Sequence, residues 1–394
     1  MKKEAALIYS GHGPRYAFHD QHPFHPIRLE VTYALLCALG AVHPYTPIFS
    51  PYHASEDTLS LVHDRDYIAA VQKGGKGILS EKDAAIYGLN TEDTQIFPHM
   101  HEAASYLVGG TLRACDAVLR DEYEHAFHLG GGLHHGLRGR ASGFCIYNDA
   151  AIAIAHMRQQ YDVRILYVDT DAHHGDGVQW AFYNDPNVCT ISIHETGRYL
   201  FPGTGHVIEK GVGQGYGTTI NIPLDAYTDD DSFLAVYETA FREVVSVFKP
   251  DIILTQNGVD AHYYDPLSHL RVSMKTYKAI PKLAHELAHQ YCDGRWVALC
   301  GGGYDHWRVV PRAWSLIWLE MTNQTALTKG PLPEKWLQRF RTMAITALPT
   351  CWDDEPFPTI ARQKEVTAIN EATLEKALSL IRRKMSHIEN QTQR

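Results

Sequence analysis

The sequence predicts an α/β fold, a three-layer arrangement in which a mostly parallel sheet is covered by helices on both faces. Two observations carry this prediction. Short apolar, strand-forming runs alternate along the chain with longer stretches of helical spacing. Five of the runs are each followed at once by a cluster of polar residues, as expected where a parallel sheet presents the carboxyl ends of its strands to a ligand crevice.

In chain order, AALIYS (5–10) is the first strand run and stops at the turn residues of GHG. RLEVTYALLCAL (28–39) and HMHEAASYLVGGTLRACDAVL (99–119) repeat apolar residues every three or four places and read as helices. AFHLGG (126–131) ends in glycines, RILYVD (164–169) ends in an aspartate, and VCTISIH (188–194) follows; all three are short and apolar enough for strands. SFLAVYETAFREVVSVF (232–248) is helical in spacing, DIILTQNG (251–258) and WVALCGGG (296–303) are strands ending in turn residues, and VPRAWSLIWLEM (310–321) is a helix. Beyond it LPEKWLQRFRTM has helical spacing, PLP, LPT and EPFPT interrupt it, and EATLEKALSLIRRK reads as a terminal amphipathic helix. No solenoid repeat or low-complexity tract is present, and the broken helical pattern of residues 322–394 reads as an extension packed on the domain formed by residues 1–321 rather than as a separate domain.

Composition narrows the function. With 36 Lys and Arg against 45 Asp and Glu, the formal charge is −9. There is no basic footprint with which to neutralise phosphates, so no direct nucleic-acid ligand is expected. The apolar patch near the start is too short for a signal segment or a membrane span, which points to the cytoplasm and to no membrane partner. The seven cysteines include no CxxC pair and read as reduced, buried apolar residues. The 24 histidines are conspicuous, and their positions matter more than their number.

The polar clusters are GLHHG after AFHLGG, DTDAHHGDG after RILYV, SIHETG and FPGTG after VCTI, NGVDAHYYDP after DIILTQ, and GGGYDHW after WVALC. In an extended segment Asp169, Asp171 and His173 share a face. Ionisable groups buried together need a partner, and a divalent cation is the natural one. Asp and His two residues apart can reach one ion, and a third ligand from another strand end would leave a position open for water and substrate. Asp260 is that third ligand, whereas Asp265 before Pro266 reads as turn chemistry. A second metal would want a carboxylate where Gly175 stands, so a single ion is expected. One imidazole of the His134–His135 pair could take a proton from water and return it to a leaving group, with Asp169 and Asp176 available to orient the rings. Tyr304, after three glycines, can donate to a developing oxyanion.

These motifs, GGLHHG, ASGFCIYND, DTDAHHGDG, SIHETGRYLFPGTG, NGVDAH and CGGGY in that order, resemble the histone deacetylase superfamily from about Ile8 to about Met321. The YAFHDQHPFHPIRLE segment and the C-terminal extension resemble its bacterial acetoin-utilisation branch. The resemblance implies the arginase/deacetylase fold, a three-layer α/β/α sandwich around a sheet of about eight strands. It implies that Asp171, His173 and Asp260 bind one zinc ion, with Fe(II) as the alternative. It makes His135 the general base and then acid, paired with Asp176, and His134 an electrostatic partner paired with Asp169. Tyr304 polarises the substrate carbonyl.

The resemblance further implies an acyl-lysine tunnel walled by Gly143, Phe144 and Phe201 with Leu267 at its rim. It adds an acidic residue on the substrate backbone, assigned to Asp93 over Glu92, and a structural potassium ion near Asp169, Asp171, His173 and Ser192. Arg28 resembles an arginine of an internal product channel; read alone, it is a surface ion-pairing residue at a helix start.

The activity so implied is metal-dependent hydrolysis of N6-acetyl-lysine on an acetylated protein substrate, giving lysine and acetate. A metabolic enzyme such as an acetyl-CoA-forming synthetase is the implied target. The alternative substrate is a small acetylated amine such as an acetylpolyamine, against which the short segment between Ser10 and Arg28 argues. A non-catalytic acyl-lysine-binding protein is disfavoured by the intact ligand set, His pair and Tyr304.

Overall fold

The computed structural model describes residues 3–392, with side chains through Met385. Its strands are β1 (Lys3–Ile8), β2 (Ile48–Phe49), β3 (Tyr123–His128), β4 (Ile165–Asp169), β5 (Val188–Glu195), β6 (Thr219–Leu224), β7 (Ile252–Gln256) and β8 (Trp296–Leu299). All pair in parallel, in the order β2-β1-β3-β8-β7-β4-β5-β6. The helices are α1 (Ile27–Ala38), α2 (Glu56–Leu59), α3 (Arg65–Gly75), α4 (Glu81–Ile86), α5 (Met100–Leu119) and α6 (Asp149–Tyr161). They continue with α7 (Asp176–Ala181), α8 (Asp230–Phe248), α9 (Met274–Tyr291), α10 (Val310–Met321), α11 (Glu334–Phe340) and α12 (Gln363–Thr392).

The alternating direction of side chains in each strand builds two cores. Leu166, Val168, Phe127, Trp296 and Ala298 face α1, α8, α9 and α10, whereas Ile165, Tyr167, Ala126, Val297 and Leu299 face α3, α5 and α6. Helix α8 shows the packing rule: Phe233, Val236, Tyr237, Ala240, Phe241, Val244, Val245 and Phe248 are its buried apolar positions, a 3-1-3 recurrence that makes one stripe. Asp229 caps its start by accepting from the Ser232 amide at 3.0 Å.

The six apolar runs of the sequence all become strands, and the sheet has two more, β2 and β6, at its edges. Strand β2 is two residues long, and β6 contains Pro223, which an edge strand tolerates because one side of its ladder is unpaired. Five cysteines are buried as expected, but Cys37 and Cys351 are exposed, and none of the seven is in a disulfide. Among the described residues no helix is long and apolar enough to cross a membrane.

The segment after Met321 packs on the sheet layers. Trp336 donates its indole N–H to the Val31 carbonyl at 2.9 Å, and Arg382 on α12 pairs with Glu243 on α8 at 2.8 Å. In the same segment Asp354 accepts from Arg312 at 2.7 Å, His262 at 3.0 Å and the Met274 amide at 2.9 Å. Burial would raise the Asp354 carboxyl, but the His262 hydrogen bond and the Arg312 charge outweigh it and hold the group well below the usual carboxylate range. The stability this confers is therefore present at neutral pH and is lost as pH falls from the ordinary carboxylate range toward the depressed one. Asp354→Ala leaves Arg312, with its side chain 1% exposed, as a buried unpaired charge. We expect a loss of about 3–5 kcal/mol, read as a lower urea midpoint; an unchanged midpoint would show that the pair carries no stability.

Candidate active site

Five neighbouring strands deliver the site. Cα partners run His128–Leu299–Gln256–Asp169–Ser192 across β3, β8, β7, β4 and β5, so these strands reach one level together. The loops that leave that level are the polar clusters read from the sequence.

The GGLHHG loop is held from below by the end of the ASGFCIYND motif. Asp149 accepts from the amides of Leu133 at 2.7 Å and Gly132 at 3.0 Å and from Thr111 Oγ1 at 2.5 Å. Asn148 donates to the carbonyls of His134 at 3.0 Å and Gly136 at 3.1 Å. Its own side chain also caps α6 through the Ala151 amide. The sequence reading named neither residue, although the Asn-Asp pair at a helix start was the available signal.

On that loop His134 and His135 are buried, with Nε2 atoms 3.0 Å apart. His134 Nδ1 pairs with Asp169 at 2.8 Å and His135 Nδ1 pairs with Asp176 at 2.7 Å. Tyr167 also donates to Asp169, at 2.8 Å. Burial opposes a charge on His134, but Asp169 and Asp171 outweigh it and raise the ring to about 9. For His135 burial and the neighbouring His134 charge win over Asp176, and the ring falls to about 4. Two N–H groups cannot face each other at 3.0 Å, so the pair shares a single proton between its Nε2 atoms at neutral pH.

Asp171, His173 and Asp260 converge, their ligand atoms lying within 4.8 Å of one another. His173 Nδ1 is 3.1 Å from Asp171 Oδ1 and 2.9 Å from Asp260 Oδ2. The expected common face of Asp169, Asp171 and His173 is only partly realised: β4 ends at Asp169, which turns to His134, while Asp171 and His173 turn to Asp260. Gln256 Nε2 and the Gly302 amide each donate to Asp171 Oδ2 at 2.8 Å, and the Ala172 amide donates to Asp260 Oδ1 at 2.8 Å. A Cβ on Gly302 would lie 2.1 Å from Asp260 Oδ2, which is why the backbone here must be glycine. Gln256, the last residue of β7, is another functional neighbour absent from the sequence reading.

Burial would raise Asp171, but the His134 and His173 charges hold it well below the usual carboxylate range. Burial and adjacent Asp171 push Asp260 up to about 6 despite His173. Two fully buried carboxylates and an imidazole that meet this closely fit a divalent cation, which would relieve the repulsion between the acids.

Above this group, Phe201 lies edge-on to His135, ring centres 5.0 Å apart, and Phe144 lies edge-on to Tyr304 at 5.8 Å. Gly143 joins the two walls: with φ +48° and a Cβ position 2.5 Å from His135 Cδ2 and 2.8 Å from Phe201 Cε1, it has room for no side chain. Leu267 is half-buried nearby in chain, its amide bonded to Asp265 at 3.0 Å. Asp265 is thus turn chemistry as expected, and it does more: its other oxygen accepts from the Tyr304 amide at 2.7 Å and fixes the segment that carries the phenol. Burial, with Asp260 and Asp171 nearby, pushes the half-buried Tyr304 phenol well above its ordinary value, so it remains a donor.

Asp93 is exposed on the loop beside His22, whose ring is 4.7 Å from Phe144. Ser192 donates to or accepts from His194 at 2.9 Å and accepts from the Gly175 amide at 3.4 Å, one strand from Asp169. Arg28 is not a surface residue: it is buried and donates to the carbonyls of Gly301 at 2.9 Å and Gly303 at 3.0 Å. It lines a cavity of about 480 Å³ with Tyr9, Tyr16, His128 and Gly130.

Comparison with known proteins adds to this geometry. Residues 22–321 match the histone deacetylase domain family. The chain is 55% identical over 383 residues to the acetoin utilization protein AcuC of Bacillus subtilis (strain 168), covering 96% of this chain and 98% of that one. It is 46% identical to the AcuC of Staphylococcus xylosus over 381 residues, covering 96% and 98%. A crystal structure of a histone deacetylase homologue from Aquifex aeolicus superposes with a TM-score of 0.84 at 29% identity, covering 95% of this chain and 100% of that one. A homologue complexed with SAHA superposes at 0.83, also 29% identical and with the same coverage.

Proposed function

The chain belongs to the histone deacetylase family, in its acetoin-utilisation branch, and from that premise we propose that it hydrolyses N6-acetyl-lysine on a protein substrate. The observation that carries this reading is the meeting of the His pair with Asp171, His173 and Asp260, His134 Nε2 lying 3.9 Å from Asp171 Oδ1 and the His135 ring 6.0 Å from that of His173, with Phe201 edge-on to His135 and Phe144 edge-on to Tyr304 as aromatic walls. Such walls suit a four-carbon methylene stem that sheds water on entry. The target we infer is a metabolic enzyme, such as an acetyl-CoA-forming synthetase.

Asp171, His173 and Asp260 would hold one divalent ion, zinc or Fe(II), which when bound would polarise the acyl oxygen and acidify water. His135 Nε2, which carries no proton of its own at neutral pH, would exchange its contact with the His134 N–H for the attacking water, accept the water's proton and then deliver it to the departing lysine nitrogen. Asp176 keeps the ring in the tautomer this needs, by accepting from Nδ1. His134, charged and held by Asp169, contributes a positive field beside the reacting centre. The Tyr304 phenol donates to the oxygen as negative charge develops there. Asp93 would hold the substrate backbone at the mouth and Leu267 would close the rim. A potassium ion near Asp169, Asp171, His173 and Ser192 would be structural.

The segment between Ser10 and Arg28 supports lysine over a small amine. Its Tyr16 hydroxyl donates to the Phe144 carbonyl at 2.6 Å, Tyr16 and Phe18 pack on Phe97, and Phe24 packs on Tyr16, so the segment buttresses the wall that Phe144 forms.

The test is acetate release from an acetyl-lysine peptide and, in parallel, from acetylspermidine, with metal-loaded protein. Peptide turnover is expected, and Asp171→Ala, which removes a ligand, is expected to abolish both turnover and stoichiometric metal at that site. Turnover confined to acetylspermidine would replace the proposal with the small-amine reading. Hydrolysis of neither, with the metal in place, would defeat it.

A further inference from the structure

We propose that His125, His285 and His289 form a second metal site, for a divalent transition ion of the zinc class, at the end of the sheet away from the catalytic loops. The catalytic residues follow the carboxyl ends of the strands. His125 lies instead near the beginning of β3, opposite Trp296, the first residue of β8.

The three rings come from two elements. His285 and His289 are four residues apart on α9, so one helix face presents both, and His125 meets them from the sheet. Ring centres are 4.6 Å (His125–His285), 5.1 Å (His125–His289) and 4.8 Å (His285–His289) apart. One nitrogen from each lies within 4.8 Å of the others, and the Nε2 atoms of His285 and His289 are 3.0 Å apart. A tetrahedral zinc ion with bonds of about 2.0–2.1 Å sets its nitrogens about 3.3 Å from one another, within reach of small ring rotations here.

Two further features favour a ligand over simple packing. Nδ1 of buried His125 makes no hydrogen bond of standard geometry, its ring having only the Glu124 and Gly294 backbones as polar neighbours outside the histidine cluster. Glu320, in the last turn of α10, lies 3.2 Å from His285 Nδ1. A carboxylate on the far nitrogen of an imidazole is the arrangement that fixes the tautomer of a metal-bound histidine and raises its basicity. His285 and His125 are buried and pack against Trp296, whereas His289 is exposed, so an ion has a route in and a position left for water. Three imidazoles without a thiolate or a ligating carboxylate suit Zn2+, Cu2+ or Ni2+ rather than Mg2+ or Ca2+. An ion there would fasten α9 to β3.

The experiment loads full-length protein with excess Zn2+, removes free metal by gel filtration, and counts ions per chain in the wild type and in His289→Ala. The exposed member is chosen so that the buried packing survives. Two ions are expected in the wild type and one in the variant, with acetyl-lysine hydrolysis unchanged. Loading with Co2+ instead should give visible bands of a tetrahedral imidazole site in the wild type, and their loss in the variant isolates this site from the catalytic one. One ion in both proteins, or two in both, would overturn the proposal. The count does not depend on deacetylation, so failure of that activity would leave this test intact.

Discussion

Replacing His135 with alanine is expected to lower kcat/KM for an acetyl-lysine peptide by about 10²–10⁴-fold, the range for loss of a positioned acid or base. The metal ligands and Tyr304 are untouched by this change, so metal content should stay at the wild-type level; a loss of metal would mean that the ring acts through the fold. The same group sets the pH profile. A general base must be unprotonated, so activity appears as pH rises through the His135 value of about 4. The charge on His134 is lost as pH rises through about 9, and activity should decline there. The rate profile is therefore a broad plateau between two limbs that belong to the pair.

The two imidazoles can be separated by one further variant. His134 is among the causes that push His135 down, second to burial. Removing the charge with His134→Ala should move the acid limb upward, toward neutral pH. An acid limb that does not move would show that His134 and His135 are not coupled through their 3.0 Å contact.

Much of this site was legible because strand ends are punctuated. Each of the five polar clusters follows an apolar run, and the parallel sheet aligns them at His128, Leu299, Gln256, Asp169 and Ser192. The edge strands were harder to read, since β2 is two residues long and β6 carries Pro223, which breaks the apolar run that marks a buried strand. Of the two readings of Arg28, its burial agrees with the internal one implied by the resemblance; taken alone, an arginine at a helix start carries no mark of burial, because its partners, the carbonyls of Gly301 and Gly303, lie some 270 residues away. Asp265 looked like a turn residue and is one, and only the tertiary fold brings its second oxygen to the Tyr304 amide. Asn148, Asp149 and Gln256 bind backbone or other site residues rather than any group that the chemistry names, so a search for ligands and bases passes over them.

Tyr304→Phe tests the part of the site that follows least directly from ligand spacing. The ring contacts of Tyr304 are with Phe144 and, more loosely, Arg28, and a phenylalanine keeps both. Its amide is fixed by Asp265 whatever the side chain. The substitution therefore removes one O–H from an otherwise unchanged wall. If that hydroxyl donates to the oxyanion, kcat should fall about 10²–10³-fold, worth about 2.7–4 kcal/mol of transition-state stabilisation, with KM nearly constant. A rise in KM at constant kcat would instead place the hydroxyl in ground-state binding. The phenol is held well above its ordinary value by burial and by Asp260 and Asp171, so it stays protonated across the plateau and its loss should lower the rate without shifting either limb. A shifted limb would mean that Tyr304 itself titrates in the working range, contrary to an environment in which two buried carboxylates oppose a phenolate.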